Sequence, residues 1–130
     1  MAIEDAARAR ALVGVPFRAQ GRDPARGLDC VGLALAACEL SSELVRADYR
    51  LRGNHRAQVE QGLLQHFRRV SRRPRRVGDL LLMAVAADQV HLGLLTPGGF
   101  VHADARLRKV VETPGEPGWP VIGVYRRRTR

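Results

Sequence analysis

The stretch GLDCVGLALAAC, residues 27–38, governs how the rest of the chain is read. A cysteine follows an aspartate and opens a run that is almost entirely small and apolar. Asp29 is a residue type that caps helices, and the helix it starts is expected over about Cys30 to Leu44. Val31, Leu33, Ala34, Leu35, Ala37 and Cys38 are apolar almost all round, which predicts a central, buried helix. Position separates the two thiols. Cys30 falls in the first turn, where free backbone N–H groups and the helix dipole favour a thiolate. Cys38 falls deep inside the helix, where a thiol is a small hydrophobe. Eight helical residues separate them by about 12 Å, too far for a disulfide.

Working outward, residues 3–13 carry a weak apolar stripe and predict a first helix, stopped by Gly14 and Pro16. VPFRAQGRDPARG then reads as a loop. RADYRLRGNHR, residues 46–56, reads as another. Val59, Leu63, Leu64 and Phe67 mark an amphipathic helix over about Arg56 to Phe67. The cationic run RRVSRRPRR, residues 68–76, reads as a connector outside the core. From residue 77 the texture changes to short β-rich segments: VGDLLLMAV, QVHLGLL, GFVHADA, LRKVVET and WPVIGVYRR. TPGG, residues 96–99, predicts a hairpin turn between the second and third. Helices first and an antiparallel meander afterwards make an α+β domain. It is read as one domain over residues 1–130, with YRRRTR at the end as a solvated basic tail from about 126.

Bulk composition narrows the function classes. The chain has 130 residues and 45% apolar content, enough for one domain with a real core and too much for disorder. Aromatics make up only 5%, so Val, Leu and Ala must fill that core. Lys and Arg number 22 against 13 Asp and Glu, a formal net charge of +9. Such a balance favours nucleic acid, an anionic membrane face or an acidic wall polymer. An Arg-, Ala- and Gly-rich coding bias is the alternative source of the charge. A specific nucleic-acid domain is disfavoured, because stacking aromatics and a binding motif are both lacking. The N-terminus does not read as a signal peptide, and no apolar run approaches a membrane span.

A nucleophilic thiol needs a base. The histidines are His55, His66, His91 and His102. Alternation puts Gln89, His91 and Gly93 on one face of a strand, and Phe100, His102 and Asp104 on one face of the next. A hairpin closed at 96–99 brings His91 and His102 near each other. One imidazole then takes the Cys30 proton and the other orients it. The alternatives at this point are a structural cysteine with two ordinary strand histidines, or a zinc site, which lacks a close ligand pair. His55 and His66 have no such constellation and read as surface or groove-edge residues.

VPFRAQGRDPARGLDCVGLA, VGDLLLM, QVHLGLL and GFVHADA together resemble the motifs of the NlpC/P60 cysteine peptidases, over about Val13 to Tyr125. Cys before His, with a second His one hairpin later, matches this family and not its circularly permuted relatives. Gln20 in the loop and the ending WPVIGVYR look most similar to the phage-tail and gene-transfer-agent branch. The resemblance implies a papain-like α+β fold, no cofactor, and hydrolysis of peptidoglycan stem peptides, usually between γ-D-glutamyl and a diamino acid. It implies Cys30 as nucleophile, His91 as general base and then acid, and His102 as the residue that orients His91. The Cys30 backbone N–H would then help hold the oxyanion. Asp29 resembles the family aspartate beside the nucleophile, a helix cap, a contact to the stem peptide, or both. Phe17 stands where the family often has Tyr, Val31 where many members have Ser, and Gln20–Gly21 where a Gly pair is usual. Phe17 and Gln20 are carried as substrate-binding candidates.

The implied partners are stem peptides and phage-like tail proteins. The implied place of action is the cell wall or periplasm, after synthesis in the cytoplasm and delivery on a particle. Residues 68–76 and 126–130 would then hold an anionic polymer or an acidic tail protein. The alternative on the same fold is a catalytically weak or inactive tail-tip assembly protein.

Overall fold

The computed structural model describes residues 2–40, 56–86 and 89–128. At its centre is the helix opened by Cys30. α2 (Cys30–Ala37) is buried at every position except Ala36. Asp29 caps it, its carboxylate accepting the Gly32 N–H at 2.8 Å. The helix is shorter than expected, ending at Ala37 instead of near Leu44. Cys38 is the C-cap, and Glu39 turns the chain through a left-handed φ of 54°. Leu44 and residues 46–55 of the loop read at 46–56, His55 among them, lie outside the described residues, and Arg56 opens the next helix. α1 (Ala2–Ala11) forms as expected and packs on α2 through Ala6 and Ala9, whose small side chains allow close approach.

The loop between them contains a small ladder, β1 (Arg22–Asp23) with β2 (Gly27–Leu28). α3 (Arg56–Leu64) stops three residues before Phe67, because Phe67 belongs to a strand. The expected β segments all form: β4 (Leu80–Ala86), β5 (Gln89–Thr96), β6 (Gly99–Asp104), β7 (Lys109–Pro114) and β8 (Val121–Arg127). With β3 (Phe67–Val70) they make one antiparallel sheet in the order β3-β8-β4-β5-β6-β7. Thr96 pairs with Gly99, so β5 and β6 are joined by the two-residue turn Pro97–Gly98.

Three expectations need correction. Only β4 to β7 form a meander; β8 returns to the open edge of β4. The connector at 68–76 is partly strand, since β3 pairs with β8 from Phe67 to Val70. Its outward Arg68 and Arg69 are what an edge strand tolerates. The tail read from about 126 is strand at its start, because β8 runs to Arg127; Thr129 and Arg130 lie outside the described residues. Arg126 grips Asp79 through two bonds of 2.9 Å, and Arg127 donates to Asp5 at 2.9 Å. Asp5 and Asp79 are buried, and a buried carboxylate demands a partner. That demand orders Arg126 and Arg127.

Alternation gives the sheet two apolar faces. Leu80, Leu82, Leu92, Leu94, Val101 and Ala103 join the helices in the main core. Leu81, Met83, Phe100 and Val124 form a smaller cluster on the opposite face, with Trp119 packed against it. His91 and His102 share the parity of Leu95 and Phe100, and so belong to the second face.

Candidate active site

The loop before Cys30 is pressed against α2 by two glycines. A Cβ on Gly32 would lie 2.0 Å from the Gly21 carbonyl oxygen, and a Cβ on Gly21 would lie 2.4 Å from the Gly27 carbonyl oxygen. The Gly21 carbonyl also accepts the Asp29 N–H. Beneath this layer Arg22 donates to Asp29 at 2.8 Å and to the Gly21 carbonyl at 3.1 Å. Asp29 therefore ties the helix start, the loop and Arg22 together. The Cys30 N–H stands at the first helical position, one of the amides an α-helix leaves without an internal acceptor.

β5 and β6 are paired only from Leu94 to Thr96 on the β5 side. Beyond Leu94 the two strands part, and the Leu92 N–H is turned to the Cys30 sulfur. Leu92 follows His91, so the thiol lies against the backbone that carries the first histidine. The second histidine completes the group. His91 Nε2 and His102 Nδ1 are 3.0 Å apart, and His102 Nε2 is 2.9 Å from Thr113 Oγ1 on β7. The chain His91–His102–Thr113 is thus continuous. Trp119 stands edge-on to both imidazoles, at 5.7 and 5.8 Å between ring centres. Phe100 stacks on His102 at 4.8 Å.

Burial sets the resting charge state. It pushes the Cys30 thiol up to about 12, and the Asp29 carboxylate adds to the push. Leu92 and Val31 N–H groups and the Arg22 guanidinium act the other way without prevailing. The expectation of a thiol activated at rest by its helix terminus is therefore corrected. Cys30 is only 5% exposed, and desolvation of the thiolate outweighs the dipole. Burial lowers His91 to about 4, helped by the neighbouring His102. Burial lowers His102 as well, against the pull of Asp104. Asp104 itself stays below the usual carboxylate range: burial raises it, but the N–H groups of Leu107 and Arg106 and the two imidazoles prevail. Burial thus favours a neutral Cys30 thiol and a neutral His91 imidazole at rest.

The sequence brought forward six site residues. His91 and His102 meet as described, and Cys30 lies against the amide of Leu92, the residue after His91. Asp29 is buried as cap and ion-pair partner. Phe17 is half-buried, its ring packed against the main core. Gln20 is exposed in a turn with a left-handed φ of 59°. His66 is half-buried beside α3 and lines a small apolar void with Leu63 and Phe67. Thr113, Trp119 and Arg22 were missed. Thr113 was within reach, because a β6–β7 hairpin pairs Phe100 with Thr113 and so sets Thr113 beside His102. Trp119 lies in the irregular stretch between β7 and β8, where no periodicity indicates a direction. Among the described residues no group of three His, Cys, Asp or Glu is arranged to hold a metal ion. None of their helices is long and apolar enough to cross a membrane.

No protein-family model and no curated relative matches the chain. Solved structures do. The chain is similar to the NlpC/p60 domain of the peptidoglycan hydrolase SagA, with a TM-score of 0.62 and 19% identity over 88% of this chain and 89% of that one. It is also similar to the P60 domain of antigen MAP1204 from M. avium subspecies paratuberculosis, with a TM-score of 0.58 and 20% identity over 97% of this chain and 93% of that one. These likenesses establish the architecture as the α+β NlpC/P60 fold.

Proposed function

We propose that the protein is a cysteine endopeptidase of peptidoglycan, cutting stem-peptide amide bonds of the γ-D-glutamyl–diamino acid type. The observation that carries this reading is the placement of Cys30 at a helix N-terminus and against the amide of Leu92, on the strand whose preceding residue, His91, is paired with His102 at 3.0 Å. A neighbour of the same fold bears the name of a peptidoglycan hydrolase.

The geometry supports a general-base mechanism in place of a preformed ion pair. With His91 protonated on Nε2 and donating to His102 Nδ1, its Nδ1 carries the lone pair. His102 then donates from Nε2 to Thr113 Oγ1. Cys30 Sγ attacks the scissile carbonyl as its proton passes to His91 Nδ1. The Cys30 N–H contributes to holding the oxyanion. The tetrahedral adduct collapses, the amine leaves with the proton from His91, and a thioester remains. Water, deprotonated by His91, hydrolyses that thioester and returns Cys30 as thiol. His102 and Thr113 keep the His91 ring oriented through the cycle.

The test is digestion of purified peptidoglycan and soluble muropeptides, with fragments read by mass spectrometry. Wild type should release stem-peptide fragments with a new γ-D-glutamyl terminus, and Cys30→Ala should release none while melting within a few degrees of wild type. Fragments appearing equally with Cys30→Ala would refute the assignment. The second reading is a catalytically weak tail-tip assembly protein, favoured by the high resting position of the Cys30 thiol. Intact muropeptides together with an unlabelled Cys30 would support it. Carriage on a phage-like tail, with action in the periplasm or wall, rests on the resemblance of the loop and C-terminal motifs. Co-purification with tail particles tests it.

A further inference from the structure

A second cleft, of about 420 Å³, lies at the Leu80 end of β4. His91 is registered to Met83 at the middle of that strand, and Cys30, His91 and His102 take no part in the cleft's lining. It opens between the start of α1 and the turn leading into β4. Five arginines line it: Arg68, Arg76, Arg126, Arg127 and Arg128. Asp79 is the single carboxylate in that lining, and Arg126 neutralises it. Arg127 is held by Asp5, and Arg128 donates to the Leu64 carbonyl. The guanidiniums of Arg68 and Arg76 have no acidic partner among the described residues.

The rest of the lining is apolar, chiefly Ala2, Ile3 and Val77. Ile3 is 75% exposed and Leu64, whose carbonyl holds Arg128, is 44% exposed. Glu4 flanks Ile3 and is also exposed. The walls are held by backbone contact. Gly78 takes a φ of 94°, and a Cβ there would lie 2.6 Å from the Ala2 carbonyl oxygen. A small bare anion would satisfy the guanidiniums and leave the apolar floor wet. A nucleic acid would need stacking aromatics, and this lining has none. An anionic group on an apolar stem uses both features.

We propose that this face docks the protein on an anionic phospholipid surface, with one phosphate headgroup between Arg68 and Arg76 and Ile3 seated in the boundary below the headgroups. Charge complementarity supports the lipid phosphate. Exposed aliphatic side chains beside arginines that lack an acidic partner among the described residues are the pattern of an interfacial contact. This docking does not depend on the peptidase reading.

The test is co-sedimentation with vesicles of phosphatidylglycerol and phosphatidylcholine in equal parts, against vesicles of phosphatidylcholine alone, at physiological salt. Wild type should bind the mixed vesicles and leave the neutral ones. Arg68→Ala/Arg76→Ala should bind about 30-fold more weakly, which corresponds to about 1 kcal/mol for each arginine. Ile3→Asp should weaken binding at least about tenfold, and its exposed position keeps the fold out of the result. The control Arg18→Ala/Arg26→Ala removes the same charge away from the cleft and should change binding by less than about threefold. A loss in that control equal to the cleft variant would assign the binding to diffuse charge and overturn the proposal. Unchanged binding by Ile3→Asp would also overturn it. Displacement from the vesicles by soluble polyglycerol phosphate at equal phosphate would assign the cleft to a wall polymer instead. Muropeptide turnover should be the same as wild type in Arg68→Ala/Arg76→Ala and in Ile3→Asp, which separates this result from the fate of the peptidase reading.

Discussion

Replacing His91 with Asn tests the central claim about the site, that burial holds its base neutral. His91 is lowered from 6.5 to about 4, first by burial and then by the neighbouring His102. A group whose folded pKa lies below its unfolded value favours the deprotonated fold. Its stability is fully present above the unfolded value and is lost as pH falls toward the folded value. The full shift corresponds to about 3.4 kcal/mol. Integrated for one site, the loss attributable to His91 is about 0.2 kcal/mol at pH 7, about 1.4 at pH 5.5 and about 3 at pH 4. Against a domain stability of about 5–15 kcal/mol, that loss is measurable. Asn keeps a side chain able to hydrogen-bond His102 and cannot titrate. Urea unfolding at these three pH values should show wild type losing about 3 kcal/mol more than the variant between pH 7 and pH 4. Nitrogen-15 NMR of the ring should show His91 neutral at pH 5.5. Parallel acid profiles for the two proteins, or a ring that titrates near 6.5, would refute the reasoning and restore a charged pair at rest.

Three further outcomes are expected. Thr113→Val removes the partner of His102 Nε2, a side chain 2% exposed; stability should fall by about 1–3 kcal/mol and kcat by roughly tenfold, with Thr113→Ser restoring both in denaturation and turnover assays. Asp29→Asn keeps the cap but drops the charge that raises the thiol. Iodoacetamide should therefore label Cys30 faster at pH 8, while Arg22 loses its counter-charge at a cost of about 1–3 kcal/mol; unchanged labelling would remove Asp29 from the electrostatics. Gly32→Ala gains about 1 kcal/mol of helix propensity but drives a Cβ to 2.0 Å from the Gly21 carbonyl oxygen. The net should be a loss of about 1–3 kcal/mol and a faster-reacting Cys30 as the loop lifts away; a more stable variant would show that the loop yields freely.

Much of the scaffold was legible along the chain because local rules govern it. Asp29 and the apolar run after it mark the central helix. The β segments from Leu80 onward each alternate or run apolar for a strand's length, and Pro97–Gly98 supplies the turn. Elements set by partners were not legible. FRRV becomes a strand only because β8 offers an edge, and Arg126 and Arg127 are ordered only because buried Asp79 and Asp5 require them.

The same division runs through the site. Residue type, alternation and turn length sufficed to place Cys30 at a helix start and to pair His91 with His102, since all three follow from short-range geometry. Thr113 as their third partner and Trp119 against both rings required the arrangement of distant strands. The charge state was beyond the linear chain altogether. A helix terminus by itself argues for a thiolate; the folded surroundings of Cys30 argue more strongly for a thiol. The cost of stripping water from an ion depends on how completely other atoms enclose it, and only the tertiary structure sets that enclosure.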